Sequence, residues 1–196
     1  MTKYILVGGY IHKAADGGKA FFEELVKDFK KDEPVRILNC LFARSRESWE
    51  SKIEENKEYF SKYIDNFALI LADPEKFIEQ VKSADVIFLQ GGYTEPLIRK
   101  LSENADWIKY LDGKTIAGSS AGGDAIAKYY SVLKTGRVGD GLGLLPIKFI
   151  PHWKSDYSDD EVSDINWDAE LKKIKEYKED LPVYTLKEGE FRVFNK

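Results

Sequence analysis

Residues Ile116-Ala117-Gly118-Ser119-Ser120-Ala121-Gly122-Gly123 form an apolar run that closes on the pattern G-x-S-x-G, with Gly118, Ser120 and Gly122 at its fixed positions. That pattern describes a strand-to-helix turn too tight for side chains on either flank of the serine, and it lifts the serine hydroxyl above the sheet edge. The context agrees: Lys114 to Ala117 reads as a short buried strand, and Ala121 to Tyr130 reads as the helix that follows. The N–H of Ala121 would then face the oxygen of a tetrahedral intermediate built on Ser120.

Working outward from the turn, strand-length apolar runs alternate with amphipathic stretches. The strand candidates are Tyr4 to Val7, Val35 to Leu41, Phe67 to Leu71, Val86 to Leu89 and Thr115 to Ala117. Between them Lys19 to Lys31, Arg46 to Ile64, Pro74 to Ser83 and Glu95 to Ser102 carry helical spacing; Phe22, Leu25, Val26 and Phe29 give the first a single apolar face. This alternation predicts an α/β fold, a mostly parallel sheet with helices on both faces. Ligands bind such sheets beyond the carboxyl ends of the strands. Gly8-Gly9, Gln90-Gly91-Gly92 and Gly118 to Gly123 all fall there.

After Tyr130 the rhythm changes. Gly136, Gly139, Gly141 and Gly143 mark a turn-rich segment, and Ile147 to Pro151 reads as a further strand. Asp156 to Asp164 reads as an exposed acidic loop and Ala169 to Tyr177 as a helix. Val183 to Leu186 and Phe191 to Phe194 are two short final strands. No repeat or interdomain linker is visible, so residues 1–196 are expected to form a single domain.

Composition narrows the function. The 34 acidic and 30 basic residues are interspersed and sum to −4, which is not a nucleic-acid footprint. The one cysteine, Cys40, rules out an internal disulfide framework and reads as a buried strand residue. The apolar start Tyr4 to Val7 reads as a strand and not as a signal peptide, and no run is long enough to span a bilayer. A cytoplasmic protein with no membrane or nucleic-acid partner is expected.

A serine nucleophile needs a base within hydrogen-bond reach and a third group to orient that base. The chain has two histidines. His12 lies in the loop after the first strand, whereas His152 ends the run Lys148 to Pro151 at a strand end. The acid is less constrained. An α/β-hydrolase order of serine, acid, histidine would select Asp124 or Asp140. Glu188 stands apart from the solvated charge runs, in the tight turn Lys187-Glu188-Gly189.

Four ordered segments resemble the dipeptidase E and cyanophycinase group of serine peptidases, which has a class I glutamine amidotransferase-like fold. They are Phe88-Leu89-Gln90-Gly91-Gly92-Tyr93-Thr94, Gly118-Ser119-Ser120-Ala121-Gly122, Ile150-Pro151-His152-Trp153 and Leu186-Lys187-Glu188-Gly189. The resemblance implies a three-layer sandwich with Ser120 as nucleophile, His152 as general base and Glu188 as its orienter. It implies an oxyanion hole from the N–H groups of Gly92 and Ala121, and substrate contacts at Tyr93 and Thr94. A glutaminase of this fold would need a cysteine where the chain has Ser120.

The implied activity is hydrolysis of a small peptide through an acyl-enzyme, with no metal and no cofactor; a homodimer stays open. Two other readings remain: a binding or regulatory protein on the same fold with an idle triad, and an α/β-hydrolase esterase relying on Asp140. Relatives in this group prefer an N-terminal aspartate. Between His152 and Glu188, however, the chain has no arginine, and Asp156, Asp159, Asp160, Glu161 and Asp164 make that stretch acidic. A relaxed or altered preference is expected, with Lys154, Arg99 and Arg137 the basic residues to locate.

Overall fold

The computed structural model describes residues 1–30, 32–103, 105–133, 135–155 and 165–196. Its framework is a six-stranded sheet of order β10-β1-β5-β4-β2-β3. The strands are β1 (Lys3–Val7), β2 (Val35–Cys40), β3 (Phe67–Leu71), β4 (Val86–Leu89), β5 (Thr115–Ser119) and β10 (Phe191–Asn195). All pairings are parallel except β1 with β10.

The period-two side-chain alternation of a strand divides the core into two layers, one on each face. In β1, Tyr4 and Leu6 join one cluster while Ile5 and Val7 join the other. In β4 the split is Ile87 and Leu89 against Val86 and Phe88. One face is covered by α1 (Lys19–Val26), through Phe21, Phe22 and Leu25, and by Phe60 of α2 (Trp49–Ser61). The other is covered by α3 (Phe77–Ser83), α4 (Thr94–Ser102) and α5 (Ala121–Ile126). The expected helix-sheet-helix arrangement is therefore present. Cys40 is fully buried in β2, and desolvation pushes its thiol up to about 12.

Two expectations are corrected after the Ser120 turn. The helix predicted from Ala121 to Tyr130 stops at Ile126, and the chain runs straight into β6 (Ala127–Val132). The glycine-marked segment is not merely a turn, because Arg137–Asp140 pairs with β6 as the antiparallel strand β7. Gly139 is there because a side chain would meet the Tyr130 ring, 2.4 Å from Cζ. With β8 (Leu145–Ile150) and β9 (Val183–Thr185) these strands form a second sheet, β7-β6-β8-β9. The sequence pattern did not separate it from the first.

The helix α6 (Trp167–Glu176) is joined to β6 by the buried Glu170, which accepts from Ser131 Oγ at 2.6 Å and from Lys173 at 2.8 Å. The acidic stretch Asp156 to Asp164, with Asp159, Asp160 and Glu161, lies outside the described residues. Among the described residues no helix is long and apolar enough to cross a membrane.

Candidate active site

Register brings the three glycine-bearing loops to one level. Val7 lies opposite Ser119 in the β1–β5 pair, and Leu89 opposite Gly118 in the β4–β5 pair. Gly8-Gly9, Gln90-Gly91-Gly92 and Ser120 therefore leave the sheet side by side, at the carboxyl ends where such sheets bind ligands.

The turn at Ser120 is tight for steric reasons. A Cβ on Gly118 would sit 2.4 Å from the Gly122 carbonyl, and one on Gly122 would sit 2.0 Å from the Leu89 oxygen. Ser120 itself adopts φ 50° and ψ −112°, a conformation that L-residues rarely take. Its N–H donates to Val7 O at 3.0 Å, which ties the turn to the neighbouring strand. Strain held by surrounding contacts in this way fixes the hydroxyl in place.

His152 follows β8, also at positive φ (54°), with its N–H donating to Gly8 O at 2.8 Å. Its Nε2 lies 2.9 Å from Ser120 Oγ, within hydrogen-bond distance. The ring packs against the Tyr10 ring, 5.7 Å away centroid to centroid, and against the backbone of Gly9. A Cβ on Gly9 would fall 2.2 Å from the His152 Cε1. Gly8-Gly9 thus walls the imidazole, a role that glycines after a first strand did not disclose.

On the far side of the ring, Glu188 Oε1 lies 3.5 Å from Nδ1, an ion-pair distance longer than a good hydrogen bond. The Glu188 side chain is only 8% exposed, and its other oxygen is held by Lys13 Nζ at 2.5 Å. The turn carrying Glu188 is braced by Gly189 N–H donating to Gly9 O at 2.8 Å and by Trp153 N–H donating to Leu186 O at 2.9 Å. The Gly8-Gly9 loop therefore holds both the histidine and the carboxylate. In the sequence Lys13 is one lysine among many, and no local pattern marks it.

The electrostatics favour a neutral imidazole. Burial lowers the His152 pKa and outweighs the upward pull of the Glu188 carboxylate, while Lys13 lowers it further. The other histidine, His12, is an exposed residue of a short helical turn, edge-on to Tyr10.

The remaining candidates fall on either side of Ser120. Gly92, at φ 150°, abuts Ala43, whose oxygen a Cβ would approach to 2.3 Å. Ala121 opens α5 directly after the serine. Tyr93 is 68% exposed, and Thr94 donates to Asp124 Oδ2 at 2.9 Å, so its hydroxyl already joins α4 to α5. Asp124 is buried, and desolvation raises its pKa well above the usual carboxylate range. Asp140 is ion-paired to Lys178 at 2.7 Å on the exposed strand β7, so Glu188, not Asp140, is the carboxylate beside His152.

Two cavities open at Ser120. The larger, about 760 Å³, runs past His12, Arg44 and Asn56. The smaller, about 390 Å³, runs past Thr94, Asp124 and Arg137. Of the basic residues in question, Arg137 borders the smaller cavity, Lys154 lies over the Trp153 ring, and Arg99 borders neither cavity.

Known structures share the fold. A peptidase from an acI-B1 Actinobacterium superposes with a TM-score of 0.62 at 22% identity, covering 99% of this chain and 83% of that one. A protein assigned as a peptidase E, from Listeria monocytogenes EGD-e, superposes with a TM-score of 0.69 at 16% identity, covering 100% and 98%. At such identities the likeness speaks for the fold. No curated protein matches the sequence. The family model of peptidase family S51 does match, over residues 8–195, nearly the full length and including all three glycine loops, His152 and Glu188. The chain belongs to peptidase family S51 and is a serine-type peptidase.

Proposed function

We propose that the chain cleaves short peptides through an acyl-enzyme, with Ser120 as nucleophile, His152 as general base and then acid, and Glu188 as the group that orients His152. The observation that carries this reading is the 2.9 Å approach of His152 Nε2 to Ser120 Oγ on a strained turn. In the tautomer with its proton on Nδ1, Nε2 accepts the hydroxyl proton as Oγ attacks the peptide carbonyl carbon. The carbonyl oxygen becomes an oxyanion, received by the N–H groups of Gly92 and Ala121. His152 then delivers the proton to the leaving nitrogen, and the C–N bond breaks. A water molecule repeats the sequence on the ester, giving its proton to Nε2 and releasing the acid.

The imidazole pKa suits this cycle. Burial keeps His152 in the base form, and the carboxylate of Glu188 stabilises the imidazolium that forms during each proton transfer. The proposed substrate is a small peptide with a relaxed preference at its N-terminal side chain. Arg137 is the basic residue bordering the smaller cavity, and Glu95 borders it too, which disfavours strict selection of an aspartate. An unpaired buried carboxylate costs several kcal/mol of desolvation, roughly, and a neighbouring carboxylate adds to it.

Labelling with a fluorophosphonate probe tests the nucleophile, and hydrolysis of Asp-Leu, Ala-Leu and Lys-Leu tests the specificity. Ser120 should be labelled, Ser120→Ala should not, and all three dipeptides should be cleaved at comparable rates. An unlabelled wild-type protein would leave an idle site. Cleavage of Asp-Leu alone would show that a cation reaches the N-terminal side chain after all.

A further inference from the structure

The two cavities that open at Ser120 share Gly92, Tyr93, Ser120 and His152 as lining residues. Both cavities therefore adjoin Ser120, with room for one flank of a scissile peptide bond in each. Their charges differ. In the larger cavity Glu55 is already ion-paired with Lys52, and among the described residues no carboxylate pairs with Arg44 or Lys62. Arg44 contributes only a lesser share of the downward pull on the Glu55 carboxyl, after Lys52. In the smaller cavity the single guanidinium, Arg137, is accompanied by Glu95.

Arg44 is also well anchored. Its N–H donates to Leu41 O at 2.8 Å, and its carbonyl accepts from the Trp49 indole at 3.2 Å. The preceding carbonyl, of Ala43, accepts from Tyr93 N–H at 2.8 Å, so the side chain is rooted beside the Gly92-Tyr93 loop. Arg44 is exposed and borders the cavity, and the planar donor fork of a guanidinium matches a carboxylate with two parallel hydrogen bonds.

We infer that the larger cavity receives the leaving residue of a short peptide and that Arg44 binds the terminal α-carboxylate of that residue. Resting on the serine-peptidase reading above, this makes the chain an exopeptidase that acts near free C-termini, and it gives the substrate a direction. The acyl residue lies in the smaller cavity and the carboxylate-bearing residue in the larger. Asn56, on α2, adds an amide to the same wall, and its Nδ2 has no hydrogen-bond partner among the described residues.

The test compares Ala-Leu with its C-terminal amide, Ala-Leu-NH2, in two readouts: hydrolysis by the active protein, and calorimetric binding to Ser120→Ala, which needs no turnover. Each is repeated with Arg44→Gln, Arg44→Lys and Arg137→Gln, with circular dichroism verifying the fold. The free acid should be preferred by about tenfold, the worth of one charge-assisted contact at an exposed site. The preference should vanish in Arg44→Gln, persist in part in Arg44→Lys, and remain in Arg137→Gln. Equal handling of acid and amide overturns the inference, as does binding of neither peptide to Ser120→Ala or loss of the preference in Arg137→Gln alone. If wild type hydrolyses neither peptide while Ser120→Ala still prefers the acid, the peptidase reading fails and the carboxylate site stands.

Discussion

Replacing Gly9 by alanine should disable the site without touching any residue of the proposed triad. The new Cβ would lie 2.2 Å from His152 Cε1 and 2.6 Å from Nδ1. Carbon atoms in contact sit at about 3.5–4.0 Å, so the ring must retreat by more than about 1 Å. That movement breaks the 2.9 Å approach of Nε2 to Ser120 Oγ. Removing a positioned base typically costs about 10²–10⁴ in rate, and a loss in that range is expected.

The backbone adds a separate cost, since Gly9 has φ +133° and a side chain there is strained by about 1–3 kcal/mol. Gly113→Ala separates the two effects. Gly113 also has positive φ, +73°, but nothing lies within 4 Å of a Cβ built there. This control should lose about 1–2 kcal/mol of stability and none of its activity. The assay is the rate of fluorophosphonate labelling and of dipeptide hydrolysis, measured below each variant's melting temperature. Wild-type rates in Gly9→Ala would refute the idea that the Gly8-Gly9 loop holds His152.

Activity should rise with pH with a midpoint below the ordinary histidine value of about 6.5, because burial lowers the His152 pKa. The same shift acts on stability: the unfolded chain binds the extra proton first, so the His152 contribution is full above about 6.5 and is lost as pH falls toward the folded pKa. Glu188→Gln should lower the activity midpoint further, because the carboxylate is what pulls that pKa up. It should also leave more turnover than Ser120→Ala or His152→Ala, which should each remove nearly all of it; a Glu188→Gln protein indistinguishable from wild type removes that residue from the mechanism. Phe22→Ala should cost about 3–5 kcal/mol in chemical denaturation, since Phe22 is fully buried against Phe60 and Tyr63 and the aromatic cluster cannot collapse around the hole.

The Ser120 turn was legible because its demand is local. Gly118 and Gly122 are required by atoms within a few residues or on the adjacent strand, and that requirement is written as G-x-S-x-G. The layered sheet was legible for a similar reason, since strand alternation and helical spacing are short-range periodicities. The helix drawn through Tyr130 failed at Ile126 because Ala127 to Val132 gains partners on both sides, β7 and β8, that lie later in the chain. The glycines of β7 likewise read as turn residues along the chain, because the Tyr130 ring that fills the space over Gly139 comes from another strand.

By itself, then, the sequence determined the α/β layering, the tight turn that carries Ser120 and the placing of His152 at a strand end, all consequences of local sterics and periodicity. Only the tertiary structure decided which carboxylate lies beside that histidine, and that Lys13 and the Gly8-Gly9 loop hold the pair. Charge is common along this chain, and one acidic residue differs from another only in what surrounds it. Burial of Glu188 beside His152, and the exposure of Asp140 beside Lys178, arise from packing between segments far apart in sequence. No residue pattern short enough to read along the chain encodes that proximity.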